Sequence, residues 1–422
     1  MNKPYKKTIF VYSDWNPASS PVLMGKLFAE SIRGKEVFSF AYDANWLKSY
    51  ARIPLDPQLQ YYSGVQYLSD TKLNNFGIFL DSSPDRWGRL LMNRYAKLQN
   101  RNVALMESDY LLGVYDANRM GALRFKFDID GDFLDNNQVN ASPPWTSLRE
   151  LENISLLLED DNAVDSPEYA NWLRMLIVPG SSLGGARPKA SVVDSHDHPW
   201  IAKFPSRYDN SNVGAWEYLV TNLAQQAGII TPKVQLQKFN SRHDTFLSKR
   251  FDRLDANTRI HFASAMTLLQ HQDGEDANSG VSYLELAEFI QMNGSQPKQD
   301  LEQLWRRIVF YICVSNVDDH LRNHGFILDV EHGWRLSPAY DINPVADGNG
   351  LKLNIDENDN AQSLELALSV CAYFRLTKDE AKNIINSTIA IVGTWKEEAA
   401  KLGISRTEQE DMARAFRVVG SV

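Results

Sequence analysis

The stretch Asn316-Val317-Asp318-Asp319-His320-Leu321-Arg322-Asn323-His324-Gly325 decides the fold prediction for this chain. Transfer of a phosphoryl group needs a carboxylate that orients the attacking hydroxyl and an amide oxygen, one short loop away, that holds a metal ion. In protein kinases the two groups have the spacing Asp-x-x-x-x-Asn. Asp318 and Asn323 have that spacing. The stretch therefore predicts a kinase catalytic loop.

The sequence on either side of this stretch supports the same prediction. Apolar residues recur at helical spacing from Leu301 to Ile312, which indicates a long buried helix leading into the loop. Residues 325–336 then predict a short β-hairpin with its turn at 331–333. Because a hairpin returns the chain to its starting point, Asp341 is predicted to be a second metal ligand. For Asp318 or Asp341 taken alone, an ordinary solvated loop acid is the alternative.

Two histidines in the stretch allow a second interpretation. His320 and His324 are four residues apart, as in a zinc-binding helix. The segment lacks the glutamate of His-Glu-x-x-His, and a glycine follows His324 at once. We therefore expect His320 to belong with Asp318 to the catalytic site, where it would brace the catalytic loop through hydrogen bonds.

A second group of signals lies upstream. Residues 181–189 contain Gly184 and Gly185, and their backbone N–H groups could surround phosphates, although the spacing is not that of a Walker A loop. Lys203 follows on an apolar predicted strand, where its charge is costly unless it is paired. Glu217, on the next predicted helix, is the expected partner. A plain hairpin turn and a lysine pointing to water remain the alternatives.

Composition limits the class of protein. The 422 residues are 43% hydrophobic and 23% charged, which is typical of globular chains with two or three domains. The net charge of −9 argues against direct nucleic-acid binding, since that binding depends on lysine and arginine. No apolar run is long enough to span a membrane, and no leader is evident. We expect a cytoplasmic protein.

The predicted fold class is α+β, with a two-lobed protein-kinase-like core. Residues 1–140 are expected to form a mixed α/β N-terminal subdomain. Residues 141–255 would form the kinase small lobe with the Gly-rich loop, and residues 256–422 the helical large lobe with the catalytic loop.

With these segments in hand, the chain resembles the HipA-like family of serine/threonine kinase toxins. The segments that carry the resemblance are residues 81–89 and 120–125 near the N-terminus, and residues 182–189, 201–205, 250–253, 317–326 and 337–341 in the kinase part. Several matches in the same order make the resemblance more specific than any single motif.

The resemblance implies a role for each matched residue. Asp318 would be the catalytic base, and Asn323 and Asp341 would bind Mg²⁺. Lys203 would contact the phosphates of ATP, and Phe251 would lie beside the adenine. The other residues expected at the nucleotide are Ser182, Gly184, Gly185, Ala186 and Glu217.

The resemblance also implies regulation and partners. Ser182 would be autophosphorylated, with Ser181 as the alternative, and the added charge would repel ATP. The substrate would be a protein such as an aminoacyl-tRNA synthetase, and a small DNA-binding antitoxin would restrain the kinase. Two other functions stay open: a kinase of small molecules or lipids, and a kinase-fold scaffold that serves an antitoxin as co-repressor.

Overall fold

The fold is seen in a computed structural model that describes residues 5–15, 20–50, 53–69, 73–99, 104–137, 141–177, 187–255 and 258–420. The chain forms two compact units. The first comprises Met1–Arg207 with Lys249–Ala263, and the second comprises Tyr208–Ser248 with Ser264–Val422.

Strands and helices alternate in the first half of the chain, and helices dominate the second half. The strands are β1 (Lys6–Ser13), β2 (Val22–Ile32), β3 (Lys35–Tyr42), β4 (Val65–Tyr67), β5 (Leu123–Lys126), β6 (Lys189–Val193), β7 (Pro199–Lys203), β8 (Val234–Gln237), β9 (Thr245–Lys249), β10 (Phe262–Ser264), β11 (Gly325–Asp329) and β12 (Gly333–Leu336). The helices are α1 (Ala44–Ser49), α2 (Gly77–Asp81), α3 (Arg86–Leu98), α4 (Glu107–Leu112), α5 (Leu148–Leu158), α6 (Tyr169–Ile177), α7 (Val213–Gln226), α8 (Ala265–Leu268), α9 (Tyr283–Asn293), α10 (Pro297–Val314), α11 (Leu364–Ser369), α12 (Lys378–Val392), α13 (Trp395–Lys401), α14 (Arg406–Met412) and α15 (Arg417–Gly420).

The first unit is built on a five-stranded sheet with the order β4-β3-β2-β1-β5. The pairs β1–β2, β2–β3, β3–β4 and β1–β5 are antiparallel. In β1, Ile9 and Val11 alternate with less buried neighbours and are themselves fully buried, which is the period-2 pattern of a sheet with one covered face. A register shift in the β1–β2 pairing, between Val11 and Tyr12, lies within the part of β1 that also pairs with β5.

A buried ionic network joins two segments of the first unit that are far apart in sequence. Asp252 accepts hydrogen bonds from Arg250 at 2.6 Å and from Arg253 at 2.6 Å. It also accepts one from the backbone N–H of Gly121 at 2.8 Å. Gly121 has a φ of +73°, a conformation that favours glycine. The network lowers the pKa of Asp252 to about 2, because the attraction of the two guanidinium groups outweighs the effect of burial.

The second unit is organised around α10, which begins with Pro297 and is buried on nearly every side from Leu304 to Val314. A helix that is apolar all round must lie in the middle of a core. Trp305, one of its largest buried side chains, donates its indole N–H to the carbonyl oxygen of Ala367 at 3.1 Å. The antiparallel hairpins β8–β9 and β11–β12 complete the unit.

These elements confirm the predicted α+β class and the predicted strand, helix and hairpin segments. The predicted hairpin at residues 325–336 corresponds to β11 and β12, and the predicted apolar helix corresponds to α10. The division into three parts at residues 140 and 255 stays a prediction beside the two compact units.

Candidate active site

The loop that carries the kinase-like spacing starts where α10 ends. Ser315 adopts a left-handed conformation, with a φ of +51°, and closes the helix by donating its backbone N–H to the carbonyl oxygen of Tyr311. The side chain of Ser315 donates to the carbonyl oxygen of Ala415 at 2.7 Å. The chain then runs through loop 316–324 into β11, so a buried helix and a strand hold both ends of the loop.

The two adjacent carboxylates of the loop point into different environments. Asp318 is exposed, whereas Asp319 is only 1% exposed. Asp319 Oδ2 accepts a hydrogen bond from the hydroxyl of Tyr283 at 2.7 Å and lies 2.6 Å from His324 Nε2. Burial and the charge of Asp319 raise the pKa of Tyr283 well above its usual value, so the phenol stays a donor. Asp319 therefore fixes the loop, and Asp318 is left to face solvent.

Asn323 is the second part of the predicted pair, and its amide is held in one direction. The side chain is 3% exposed, and its Nδ2 donates to the carbonyl oxygen of Asp318 at 3.0 Å. Its Oδ1 is buried and has no hydrogen-bond partner among the residues that the structure describes. A buried acceptor without a partner is costly, and a bound cation would remove that cost.

Asp341 is tied to the same loop from both of its flanks. Tyr340 donates its hydroxyl to the carbonyl oxygen of Arg322 at 2.8 Å. The backbone N–H of Asn343 donates to Oδ1 of Asn316 at 3.0 Å. Asp341 itself has a φ of +57°, an uncommon conformation for a residue with a side chain.

Tyr311, on α10, lies near both Asp319 and Asp341. Burial raises the pKa of its phenol, and the charges of Asp319 and Asp341 raise it further. Both carboxylates therefore lie close enough to act on one buried ring. The structure thus brings the loop of Asp318 and Asn323 and the segment of Asp341 together.

The donors of this site fit Mg²⁺ in their chemistry. Magnesium prefers oxygen ligands such as carboxylates, and it keeps several water molecules. Asn323 Oδ1 and the carboxylate of Asp341 would hold the ion. The observation that favours this assignment is that Asn323 Oδ1 accepts no hydrogen bond from the part of the chain that the structure describes.

His320 is placed differently from what its predicted bracing role requires. Its backbone N–H donates to the carbonyl oxygen of Asp318 at 2.9 Å. Its ring Nδ1 is buried and lacks a hydrogen-bond partner within the described part of the chain. The imidazole that braces the loop is that of His324, through Asp319. A direct role of His320 in catalysis stays a prediction.

The residues predicted at the nucleotide are distributed over both compact units. Lys203 ends β7 in the first unit, where it lies opposite Lys189 of β6. Phe251 belongs to the same unit, and its ring centroid is 5.9 Å from that of Phe262. Glu217 is on α7 in the second unit and is 3% exposed. Its pairing with Lys203 stays a prediction.

Four predicted residues lie outside the described part of the chain: Ser182, Gly184, Gly185 and Ala186.

One feature of the first unit was missed by the sequence reasoning. Lys189 forms a buried ion pair with Asp85, with 2.7 Å between Nζ and Oδ2. Asp85 also caps α3 by accepting from the backbone N–H of Gly88 at 2.8 Å, and Trp87 donates its indole N–H to the carbonyl oxygen of Lys189 at 3.2 Å. Residues 85–88 therefore hold the start of β6 in place, directly after the Gly-rich residues. No local pattern in the sequence indicates that Asp85 pairs with the distant Lys189.

Comparison with known proteins identifies the family. Residues 181–395 match the family model described as the HipA-like C-terminal domain, which is about half of the chain. The chain belongs to the HipA-like family.

Two relatives carry kinase names. A "Putative kinase" of Haemophilus influenzae is 26% identical over 184 residues, which cover 40% of this chain and 53% of that protein. "Putative kinase Y4dM" of Sinorhizobium fredii is 28% identical over 157 residues, which cover 34% of this chain and 36% of that protein. The chain thus matches about half and about a third of the lengths of these relatives.

A solved structure extends the likeness over nearly the whole chain. It is the Shewanella oneidensis toxin–antitoxin complex of HipA, HipB and operator DNA. The TM-score is 0.65 at 17% identity, and the match covers 95% of this chain and 94% of that one. At this identity the likeness establishes the fold alone. It confirms the HipA-like, kinase-like fold that the sequence predicted.

Two further predictions concern binding to nucleic acid and helices that span a membrane. The Shewanella HipA occurs in one complex with operator DNA, so the expectation of no direct nucleic-acid binding is partly at odds with the family structure. Among the described residues, no helix combines the length and the apolar character that crossing a membrane requires.

Proposed function

We propose that this chain is an ATP- and Mg²⁺-dependent serine/threonine protein kinase that acts as the toxin of a toxin–antitoxin pair. The single observation that carries the proposal is the arrangement around Asn323. Its buried amide oxygen has no hydrogen-bond partner among the described residues and lies in the loop of an exposed carboxylate, Asp318. The segment of a second carboxylate, Asp341, is tied to that loop.

The residues of the loop support separate tasks in phosphoryl transfer. Asp318 is exposed and can accept the proton of a substrate hydroxyl. Asp319, His324 and Tyr283 keep the loop in place. Asn323 and Asp341 would hold Mg²⁺, which when bound neutralises charge on the phosphates of ATP. Lys203 would contact these phosphates as well.

The substrate and the partners are proposed from the family. We propose a translation factor, such as an aminoacyl-tRNA synthetase, as the protein substrate, and autophosphorylation at Ser182 as the silencing step. The Shewanella complex supports a HipB-like antitoxin as partner, because HipA and HipB occur there together. A kinase-fold scaffold for such an antitoxin is the second candidate, and the same complex supports it.

The deciding experiment is an incubation with labelled ATP and Mg²⁺ after phosphatase treatment. Wild-type protein is compared with Asp318→Ala and with the control Glu331→Gln, whose carboxylate is exposed in the turn of the hairpin β11–β12. We expect wild type and Glu331→Gln to take up label, and mass spectrometry to place it on Ser182 or Ser181. Asp318→Ala should take up none.

Individual aminoacyl-tRNA synthetases are then added to distinguish a toxin kinase from a kinase-fold scaffold. Transfer to one synthetase by wild type and not by Asp318→Ala supports the toxin kinase. If phosphatase-treated wild type neither binds ATP nor takes up label, the kinase proposal fails. Retained binding of an antitoxin would then favour the scaffold.

A further inference from the structure

The turn between β6 and β7 brings two imidazoles and one carboxylate together in the first unit. Asp194, His196 and His198 each offer one ligand atom, and these atoms all lie within 4.8 Å of one another. Asp197, which lies between the two histidines, has a positive φ of +59°. The centroids of the two imidazole rings are 6.0 Å apart.

Hydrogen bonds hold the carboxylate of Asp194 in place without a metal ion. Asp194 Oδ1 accepts the backbone N–H groups of His196 at 2.9 Å and His198 at 3.0 Å. Asp194 Oδ2 accepts the indole N–H of Trp200 at 3.0 Å. Trp200 is 2% exposed and packs edge-on against Trp145, so its indole has little freedom to turn away. Metal ligands in proteins are commonly oriented by outer hydrogen bonds of this kind.

One pair of ligand atoms has the spacing expected at a tetrahedral metal ion. Zinc takes nitrogen and oxygen ligands at about 2.0–2.1 Å, which puts two ligands of a tetrahedron about 3.3 Å apart. Asp194 Oδ2 and His198 Nδ1 are 3.3 Å apart. His196 is exposed, so its side chain can close the remaining distance by rotation without leaving a packed position.

The three proposed ligands do not complete a tetrahedral coordination sphere. Three protein ligands leave the fourth position of a tetrahedral ion to water or to a partner group.

We propose that Asp194, His196 and His198 bind one Zn²⁺, or a similar divalent transition ion, at the β6–β7 turn. Two imidazoles and one carboxylate select such ions over Mg²⁺, which prefers oxygen ligands. The site is distinct from the predicted ATP contacts. Lys203 lies at the opposite end of the hairpin, four residue steps from Pro199, which is about 13 Å along a strand. A bound ion would lock the turn of the hairpin that carries Lys203.

The test is a calorimetric titration of the tag-free full chain with ZnCl₂, in a buffer with several millimolar Mg²⁺ to occupy sites made of oxygen ligands. We expect one Zn²⁺ per chain for wild type, and affinities at least about tenfold weaker for His196→Ala and for His198→Ala. Trp200→Phe keeps the ring and loses the indole N–H, and it should weaken binding by about tenfold as well. His332→Ala is the matched control, because His332 is an exposed imidazole that pairs with Asp329 at 3.0 Å in the turn of another hairpin.

A second measurement separates binding from misfolding. Zn²⁺ should raise the melting temperature of wild type and of His332→Ala and leave that of the His196→Ala/His198→Ala double variant unchanged. The proposal is overturned if wild type binds no Zn²⁺, or if the double variant binds it as tightly as wild type. Neither outcome bears on the proposed kinase activity, because none of these residues belongs to the predicted ATP or Mg²⁺ site.

Discussion

The hydroxyl of Tyr340 donates a hydrogen bond of 2.8 Å to the carbonyl oxygen of Arg322. This bond connects the residue before one predicted metal ligand, Asp341, to the residue before the other, Asn323. Tyr340 itself is half-buried, so the bond is partly shielded from water. The two predicted ligands are therefore coupled through their neighbours in sequence.

Tyr340→Phe should loosen this coupling while it leaves the fold intact. One lost hydrogen bond corresponds to about 1 kcal/mol, or about a fivefold fall in the rate of phosphoryl transfer if it is lost from the transition state. Steady-state kinetics at varied Mg²⁺ would measure it. Tyr373→Phe, an exposed control, should keep the wild-type rate. Equal rates for the two variants would contradict a positioning role for Tyr340.

The adjacent residues Asp318 and Asp319 should respond to alanine in opposite ways. Asp318→Ala removes an exposed group and should change the free energy of unfolding by less than about 0.5 kcal/mol. It should lower phosphoryl transfer by about 100-fold or more, as expected for a general base. Asp319→Ala leaves the buried donors of Tyr283 and His324 without their acceptor, and should cost about 3 kcal/mol.

Chemical denaturation and the labelling assay would separate these two effects. If Asp318→Ala were the more destabilising variant, the division of roles between the two carboxylates would be wrong.

Asn323→Ala should raise the Mg²⁺ concentration needed for half-maximal activity. The variant removes the buried Oδ1 that lacks a partner in the described structure. Even the loss of a group that only hydrogen-bonds to a metal ligand commonly weakens metal binding by about 10–100-fold. We therefore expect the required Mg²⁺ concentration to rise by at least about tenfold. The assay is phosphoryl transfer at saturating ATP over a range of Mg²⁺. Asn358→Ala, at an exposed turn, is the control, and an unchanged Mg²⁺ requirement in Asn323→Ala would exclude the ligand role.

The ion pair of Asp85 and Lys189 should show strong coupling in a double-mutant cycle. Their side chains are 1% and 2% exposed, so removing either partner takes away an ion pair that water cannot replace. Asp85→Ala and Lys189→Met should each cost about 3–5 kcal/mol in the free energy of unfolding. The double variant should cost clearly less than the sum of the two. Additive costs, measured by urea denaturation, would show that the pair is not coupled.

The sequence predicted the segments that depend on local pattern and on spacing. The helix before the loop follows from its apolar repeat, and the hairpin β11–β12 from its turn residues. The choice of Asp318 as the candidate catalytic carboxylate follows from its spacing to Asn323 in the sequence. Each of these signals lies within a few residues of the group that it describes.

The partners that fix the site come from distant positions, and no local pattern indicates them. Tyr283 reaches Asp319 from 36 residues away, and Asp85 reaches Lys189 from 104 residues away. The spacing to Asn323 singles out Asp318, but no local pattern indicates that the neighbouring Asp319 is buried. His320 and His324 are equally ambiguous, and the structure gives the bracing bond to His324.

His271 should make the stability of the protein depend on pH between mildly acidic and alkaline conditions. Its Nε2 lies 2.7 Å from a carboxylate oxygen of Glu285, and its Nδ1 lies 2.8 Å from one of Glu275. The hydrogen bond to Glu285 raises the pKa of His271 above its usual 6.5, although burial opposes it. The pKa of Glu285 is lowered in turn: burial raises it, but the hydrogen bond from His271 outweighs burial.

The sign of the effect follows from these directions. A raised histidine pKa contributes stability that is complete below the unfolded value of 6.5 and is lost as the pH rises through the folded value. A lowered glutamate pKa contributes stability above the unfolded value of 4.5 that is lost as the pH falls through the folded value. Both contributions are therefore present near pH 5.5, and the histidine contribution is absent well above its raised pKa.

His271→Gln should consequently lose more stability relative to wild type at pH 5.5 than at pH 9. Urea denaturation at the two pH values would give the difference in the free energy of unfolding. His332→Gln serves as the control, because that imidazole is 65% exposed and its pairing with Asp329 is screened by solvent. The control should show the same small difference at both pH values. A loss in His271→Gln that is equal at both pH values, or larger at pH 9, would show that the charged form of His271 does not stabilise the fold.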